Sequence, residues 1–443
     1  MNSLYQPDTS RLTGFYGLPA ELVEHILLEL DPLHVGAFAQ TCKHFHAIVY
    51  EAPDSHLWRH LYLQQDLDDP RRCLSTLLEP ARGEIDWRGR LTRIKRAQVV
   101  AMDPRLCKPH EREEVLRALL DLACHVPPMD DINSEDIALN HLWVAASLRG
   151  GALLEQKLWE PSTEERQLRA QLHAMYGLTR ADVAKAGRVA ARARVYDFRR
   201  YSYANSFGPY RTDSSWRVDW EQVLAIHRCI SVHLVDIPEE DAEDYRYAIF
   251  PLSMPFCQPI LDAPVEKLGK DWAGVEGSWQ MVFCFMDHHA LIAYNGLQAG
   301  DEPDAPLDPT LITEPHFMEA FRAIACELRV SAYEHDARHP QHPLIRLVGT
   351  CGQYTLVGQV ELTQHGDVHW HFTFHEPQDG GDNGTPVWSC EGVQVGSVHS
   401  PYGVLGNWTT VSHDTNDPIG PFWVHKIFEP RAARSSAVSE GSF

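Results

Sequence analysis

The apolar residues of this 443-residue chain change their spacing once, and the change divides it into two structural regimes. Up to about residue 235 they recur at three- and four-residue intervals, the period of an amphipathic helix; from about Trp272 the period becomes two. The β part contains the segments WQMVFCF, LIAYN, CELRVSA, LIRLVG, YTLVGQVEL, DVHWHFTFHE, VWSCEGVQVG, VLGNWTTV and FWVHKI, separated by Gly, Pro, Asn and Asp. Eight or nine strands packed so densely predict a closed antiparallel barrel, because closure removes the exposed edges that such a meander would leave. The fold class is therefore α+β multidomain. The expected layout is a disordered tail over 1–14, a small helical unit over 15–64, a helical linker domain over 84–235, the barrel over 270–428, and a second disordered tail over 429–443.

The chain has 39 Lys plus Arg against 61 Asp plus Glu, a formal net charge of −22. That surplus repels phosphate backbones and anionic headgroups, so neither nucleic acid nor a membrane is an expected partner. The opening MNSLYQPDTSRLTG lacks an apolar run after a basic start, and no stretch approaches the roughly 18 apolar residues of a membrane helix. Ten cysteines lie scattered without a CxxC, which reads as reduced thiols. A soluble protein of the cytoplasm and/or nucleus is expected.

From Leu18 to Tyr62 the pattern predicts three short helices. Pro19 and Glu21 open the first, whose stripe is Leu22, Val23, Ile26, Leu27 and Leu30. Asp31-Pro32 stops it and caps the second, which carries Phe38, Ala39, Cys42, Phe45, Ile48 and Val49. Ser55 precedes a third, with Leu57, Trp58, Leu61 and Tyr62. These helices hold more large apolar side chains than so small a unit can hide, so something else must cover them.

This stretch resembles the F-box, whose landmarks are Leu-Pro-x-Glu, an Ile-Leu helix, Asp-Pro, Thr-Cys-Lys and Leu-Trp. They occur here in order as Leu18, Pro19, Glu21, Ile26, Leu27, Asp31, Pro32, Thr41, Cys42, Lys43, Leu57 and Trp58. The resemblance implies docking on a Skp-family adaptor, and through it on cullin and RING subunits. The residues whose burial an adaptor would complete are Leu18, Pro19, Leu22, Ile26, Leu27, Leu33, Phe38, Cys42 and Trp58, although some of these must hold the helices together.

Helices are expected next around 87–102, where Arg88, Arg90, Arg93, Lys95 and Arg96 spread around the axis as a solvated surface, and then at 111–126, 134–149, 162–175 and 179–196. The segment from Trp216 to Asp236 reads as a helix passing into a strand, followed by an acidic surface loop, PEEDAEDYR. Gly277-Ser278-Trp279 resembles the opening of lipocalin-type barrels. The run from Asp271 to Trp279, with Cys284 to Asp287, Glu391 to Gly396, Gly403 to Trp408 and Asp417 to Trp423, is similar to F-box proteins of mushroom-forming fungi. Tyr196-Asp197, Gly208-Pro209-Tyr210 and Trp220-Glu221 match the helical middle of that group. A fainter likeness connects the layout to a vertebrate F-box receptor with a cyclin D-binding barrel.

Candidate chemistry is sparse. His369, His371 and His375 share a strand face with Thr373, but first and last lie about 20 Å apart at 3.3 Å per residue, so they read as a polar outer face with no metal. His335, His339 and His342 read as a surface loop, and His288-His289 as a hairpin turn. HExxH, GxSxG, GxxxxGK[ST] and GxGxxG are all absent, so neither catalytic residues nor a cofactor are expected. Trp279, Trp370, Trp388, Trp408 and Trp423 are candidates for a substrate-binding barrel end, since indole offers an aromatic face with a polar tip. The resulting expectation is a non-catalytic substrate receptor of an SCF-type ubiquitin ligase that binds an unknown protein target. The alternative is a small-ligand-binding or enzymatic barrel with a regulatory F-box.

Overall fold

A computed structural model describes residues 17–52, 55–132, 136–236, 246–297, 307–313, 317–377 and 384–428. The expected tails at 1–14 and 429–443, and most of the acidic segment, lie outside the described residues.

The N-terminal unit is built from α1 (Ala20–Leu28), α2 (Pro32–Ala39), α3 (Lys43–Tyr50) and α4 (His56–Leu63). The expected second helix is thus two. Thr41 turns its hydroxyl back onto the Phe38 carbonyl at 2.7 Å, and Cys42 is fully extended at φ −160°, which resets the chain direction before α3. Asp31 caps α2 as expected, accepting from the Leu33 N–H at 2.8 Å with Pro32 in the first turn. Val23, Leu27, Val35, Val49, Leu57 and Leu61 form the buried centre, and the Trp58 indole N–H donates to the Val49 carbonyl at 2.9 Å.

The middle region contains α5 (Trp87–Met102), α6 (Arg112–Cys124), α7 (Leu139–Ser147), α8 (Thr163–Tyr176), α9 (Arg180–Val183), α10 (Lys185–Val195) and α11 (Trp220–Ser231). The predicted helix over 179–196 divides at Ala184, whose backbone is extended. Gly187 permits the sharp join, since a Cβ there would stand 2.1 Å from the Ala181 carbonyl oxygen. The strand expected after α11 does not form in residues 232–236. The arginines of α5 are less solvated than their spread implied: Arg90 faces Asp121 at 3.6 Å, and Arg96 is paired with Glu111.

The β part closes as an eight-stranded antiparallel barrel in sequence order: β1 (Gly277–Met286), β2 (Glu319–Glu334), β3 (Leu344–Cys351), β4 (Tyr354–Leu362), β5 (Val368–Glu376), β6 (Thr385–Gln394), β7 (Val404–Thr410) and β8 (Ile419–Lys426), which pairs back onto β1. LIAYN is not a strand. It belongs to α12 (His288–Tyr294), capped by Asp287, and its buried residues Leu291 and Tyr294 follow helical spacing. His288 and His289 therefore open a helix instead of turning a hairpin. Cys326 and Cys351 are register partners across β2 and β3 and form a disulfide, which corrects the reading of all ten cysteines as free thiols.

Alternation along the strands assigns the two barrel faces. Trp279, Met281, Phe283, Trp370, Phe372, Phe374, Phe422 and Val424 point into a filled interior. Val282, Cys284, Val393, Leu405 and Trp423 point outward and join the core of the helical region and the N-terminal unit. Tyr402 donates from its hydroxyl to the Ala174 carbonyl at 2.6 Å across this seam. Tyr62 of α4 meets Trp87 of α5 edge-on at 5.5 Å, so one continuous apolar core connects α1–α4 to the outer barrel wall.

Candidate functional site

Two surfaces of different chemistry stand out. The first lies on α1, the turn that follows it and the start of α2. Leu22 is 50% exposed, Ile26 40%, Leu30 38% and Leu33 56%. The same stripe buries Val23 and Leu27 against the other helices, so α1 is apolar on more of its circumference than its own unit covers. Of the residues expected to meet an adaptor, Pro19, Leu22, Ile26 and Leu33 are exposed, while Leu18, Phe38 and Cys42 are half-buried. Leu27, 1% exposed, and Trp58, 8% exposed, are corrections: both hold the helices together. Leu30 belongs with the exposed set, and its place in the helical stripe was the signal for it.

The second surface is an apolar recess of about 250 Å³ at one end of the barrel, lined by Phe283, Phe285, Tyr354, Phe374, Trp388 and Trp408, with Ile324 and Cys351 beside them. Trp408 meets Phe285 at 4.7 Å and Trp388 edge-on at 5.4 Å, and its indole N–H donates to the Cys284 carbonyl at 3.1 Å. Gly420 is needed for this placement, because a Cβ there would stand 2.7 Å from the Trp408 Nε1. Two of the five candidate tryptophans therefore reach the recess. The other three do not. Trp279 and Trp370 pack edge-to-face at 5.3 Å inside the barrel. Trp423 faces the helical region, stacked on His425 and donating to the Tyr402 carbonyl at 2.6 Å. The phenylalanines and Tyr354 of the recess were missed, although they share the inward parity of Trp388 and Trp408.

The histidine face of β5 is covered at His369 and half-exposed at His371 and His375. His369 Nε2 and His371 Nδ1 each lie 2.6 Å from a different oxygen of Glu391, and His369 Nδ1 lies 3.5 Å from Glu361. Residues 208–216 lie over this cluster: Tyr210 and Trp216 flank the His369 ring, and the Tyr210 hydroxyl donates to the Gly392 carbonyl at 3.0 Å. Burial pushes the His369 imidazole down, but hydrogen bonds to Glu361 and Glu391 outweigh it and lift the group to about 9. Burial likewise pushes Glu391 up, and its two histidine partners overcome that and hold it below the ordinary range. The two imidazoles share the Glu391 carboxylate, His369 buried and His371 half-buried.

His335, His339 and His342 sit in a loop as expected, with His339 Nε2 3.1 Å from the Thr363 carbonyl oxygen. His233, Cys284 and Glu319 approach one another closely enough to share an ion. Glu319, however, is already paired with Arg192 at 3.2 Å and His233 at 3.0 Å, and it accepts from the Tyr196 hydroxyl at 2.6 Å. A guanidinium on the same carboxylate makes that set a poor cation site.

The fold thus joins a compact helical unit with an uncovered apolar face, through a helical region, to a closed barrel with an aromatic recess. Residues 15–64 match the family model described as F-box-like, so the chain carries an F-box-like domain at its N-terminal end. No curated protein and no solved structure matches the chain.

Proposed function

We propose that this chain is the substrate-recognition subunit of an SCF-type ubiquitin ligase, with its F-box-like helices docked on a Skp-family adaptor and its barrel recess holding a protein target. The observation that carries the reading is the exposed row Leu22, Ile26, Leu30 and Leu33, on the segment that matches the F-box-like model. Burying four such side chains against a partner is worth several kcal/mol, at about 1.5 to 3 kcal/mol for each one fully removed from water. Carboxylates would be expected on a helix face meant for solvent.

In this reading the adaptor connects the chain to cullin and RING subunits, and the ubiquitin transfer takes place on those partners. This chain supplies position and acts without catalysing the transfer. The recess at the barrel end suits an aromatic or branched aliphatic side chain of the target. The sequence likeness over Asp271–Trp279 and the later landmarks supports a place among F-box proteins of mushroom-forming fungi, and the reading assigns the protein to the cytoplasm and/or nucleus.

The test is co-expression with a fungal Skp adaptor followed by size-exclusion chromatography. A one-to-one complex is expected from the parent chain, and its loss from Leu22→Asp combined with Ile26→Asp. A complex unaffected by that pair overturns the reading. The aromatic recess also favours a second reading, a barrel that retains a small apolar ligand; native mass spectrometry detecting such a ligand, with activity surviving deletion of residues 1–64, would select it.

A further inference from the structure

The helices α8, α10 and α11 meet around a cavity of about 360 Å³ that the proposed function leaves unused. Four guanidiniums stand in its wall: Arg166 and Arg169 from α8, Arg194 from α10 and Arg228 from α11. They are joined by His173, and Glu221 is the one carboxylate among its lining residues. The wall gathers four guanidiniums around one carboxylate, in a chain whose net charge is −22.

Three of these guanidiniums are held by carboxylates outside the cavity lining, and the fourth, Arg166, lies 3.7 Å from Glu221, which does line it. Arg169 is paired with Glu165, Arg194 Nη2 lies 2.7 Å from Asp219, and Arg228 Nε lies 2.6 Å from Asp182. Arg228 also reaches His173 Nδ1 with its Nη2 at 3.4 Å, whereas Glu165 and Asp219 each engage a single nitrogen of Arg169 and Arg194. A guanidinium carries five N–H donors. Arg169 and Arg194 each use one nitrogen, and the buried Nε of both lacks a hydrogen-bond acceptor. Burial, with Arg112 adding to it, holds Arg169 below its ordinary value despite the opposing pull of Glu165. An ion-pair network serving only to tie helices together would place its acids between the arginines and close the gap. Here Glu165, Asp182 and Asp219 are absent from the lining, Glu221 alone stands in it, and the gap remains.

We propose that this cavity is a binding site for a small phosphate-bearing anion carrying more than one negative charge. Its oxygens accept from the preset guanidiniums of Arg166, Arg169, Arg194 and Arg228, geometry that suits bidentate phosphate recognition. The site is independent of the F-box-like face and of the barrel recess, so it stands or falls apart from the ligase reading.

The experiment is isothermal titration of the full chain, alone or with its adaptor, with pyrophosphate in buffer free of divalent cations, at two chloride concentrations. Saturable binding at one site is expected, weakening with salt. Arg194→Gln should lower the affinity about tenfold or more, the cost of one charge-assisted contact. Arg166→Gln guards against a folding artefact, since Arg166 is more exposed and its nearest carboxylate, Glu221, is 3.7 Å away; it should weaken binding with the melting temperature unchanged. Glu221→Gln removes the carboxylate of the wall and should tighten binding. Absence of saturable binding at millimolar pyrophosphate, equal affinity in the arginine variants, or weaker binding in Glu221→Gln each overturns the proposal.

Discussion

Leu22 and Leu27 sit on one helix, and both belong to the apolar stripe that the sequence displays, yet they have opposite surroundings. Leu27 is enclosed by the other N-terminal helices, and Leu22 faces outward. Leu27→Ala should therefore cost about 2 to 5 kcal/mol of stability, read as a lowered midpoint in urea. Leu22→Ala should stay within about 0.5 kcal/mol of the parent while weakening the proposed adaptor complex in the same preparation. Periodicity placed both residues on the stripe, but which part of a wide stripe is covered depends on where α4 packs, and no local spacing encodes that. The tryptophans teach the same lesson. Trp423 differs from Trp408 in facing outward, yet both faces of the strands on that side are apolar, because the outer one meets the helices. Trp370→Ala inside the barrel should cost about 3 to 5 kcal/mol, and Trp388→Ala at the recess should cost less while, on the proposed reading, reducing target capture in pull-downs.

At the scale of elements, strand and helix boundaries were legible wherever caps and periodicity agreed, as at Asp31-Pro32 and Ser162. LIAYN misled because a five-residue apolar run fits either period, and Asp287 decided it by capping a helix. The cover over His369 was illegible for another reason: Glu361 and Glu391 come from β4 and β6, brought alongside by strand pairing, and the cover comes from residues 208–216, distant in the sequence. This cluster gives a pH prediction. His369 is raised from an ordinary 6.5 to about 9, so its stabilising contribution is complete below 6.5 and is lost as pH rises through 9. His141 and His227 are buried and lowered to about 4; their contribution is complete above 6.5 and is lost as pH falls toward 4. Denaturant titrations should find maximal stability near pH 6.5, and His369→Gln should be less stable overall with a flatter decline between pH 6.5 and about 8.

For the molecule as a whole, the seam between barrel and helices matters more than either part. An isolated 270–428 fragment would uncover Val282, Cys284, Val393, Leu405 and Trp423, so it should aggregate on expression, while the full chain melts in one calorimetric transition. Residues 84–235 read as a linker from sequence because each of their helices is individually amphipathic; that they share one interior with the barrel wall follows from long-range packing such as Tyr402 against Ala174.

The edge-on meeting of Tyr62 and Trp87 is one of the contacts that set the angle at which the N-terminal helices leave the rest of the molecule. On the proposed reading, that angle decides how far a captured protein stands from the charged ubiquitin, and so which of its lysines come within reach. Substituting either ring with alanine would leave both proposed docking surfaces chemically intact, yet on that reading it should redistribute the modified lysines, a change visible by mapping ubiquitin remnants on a single target.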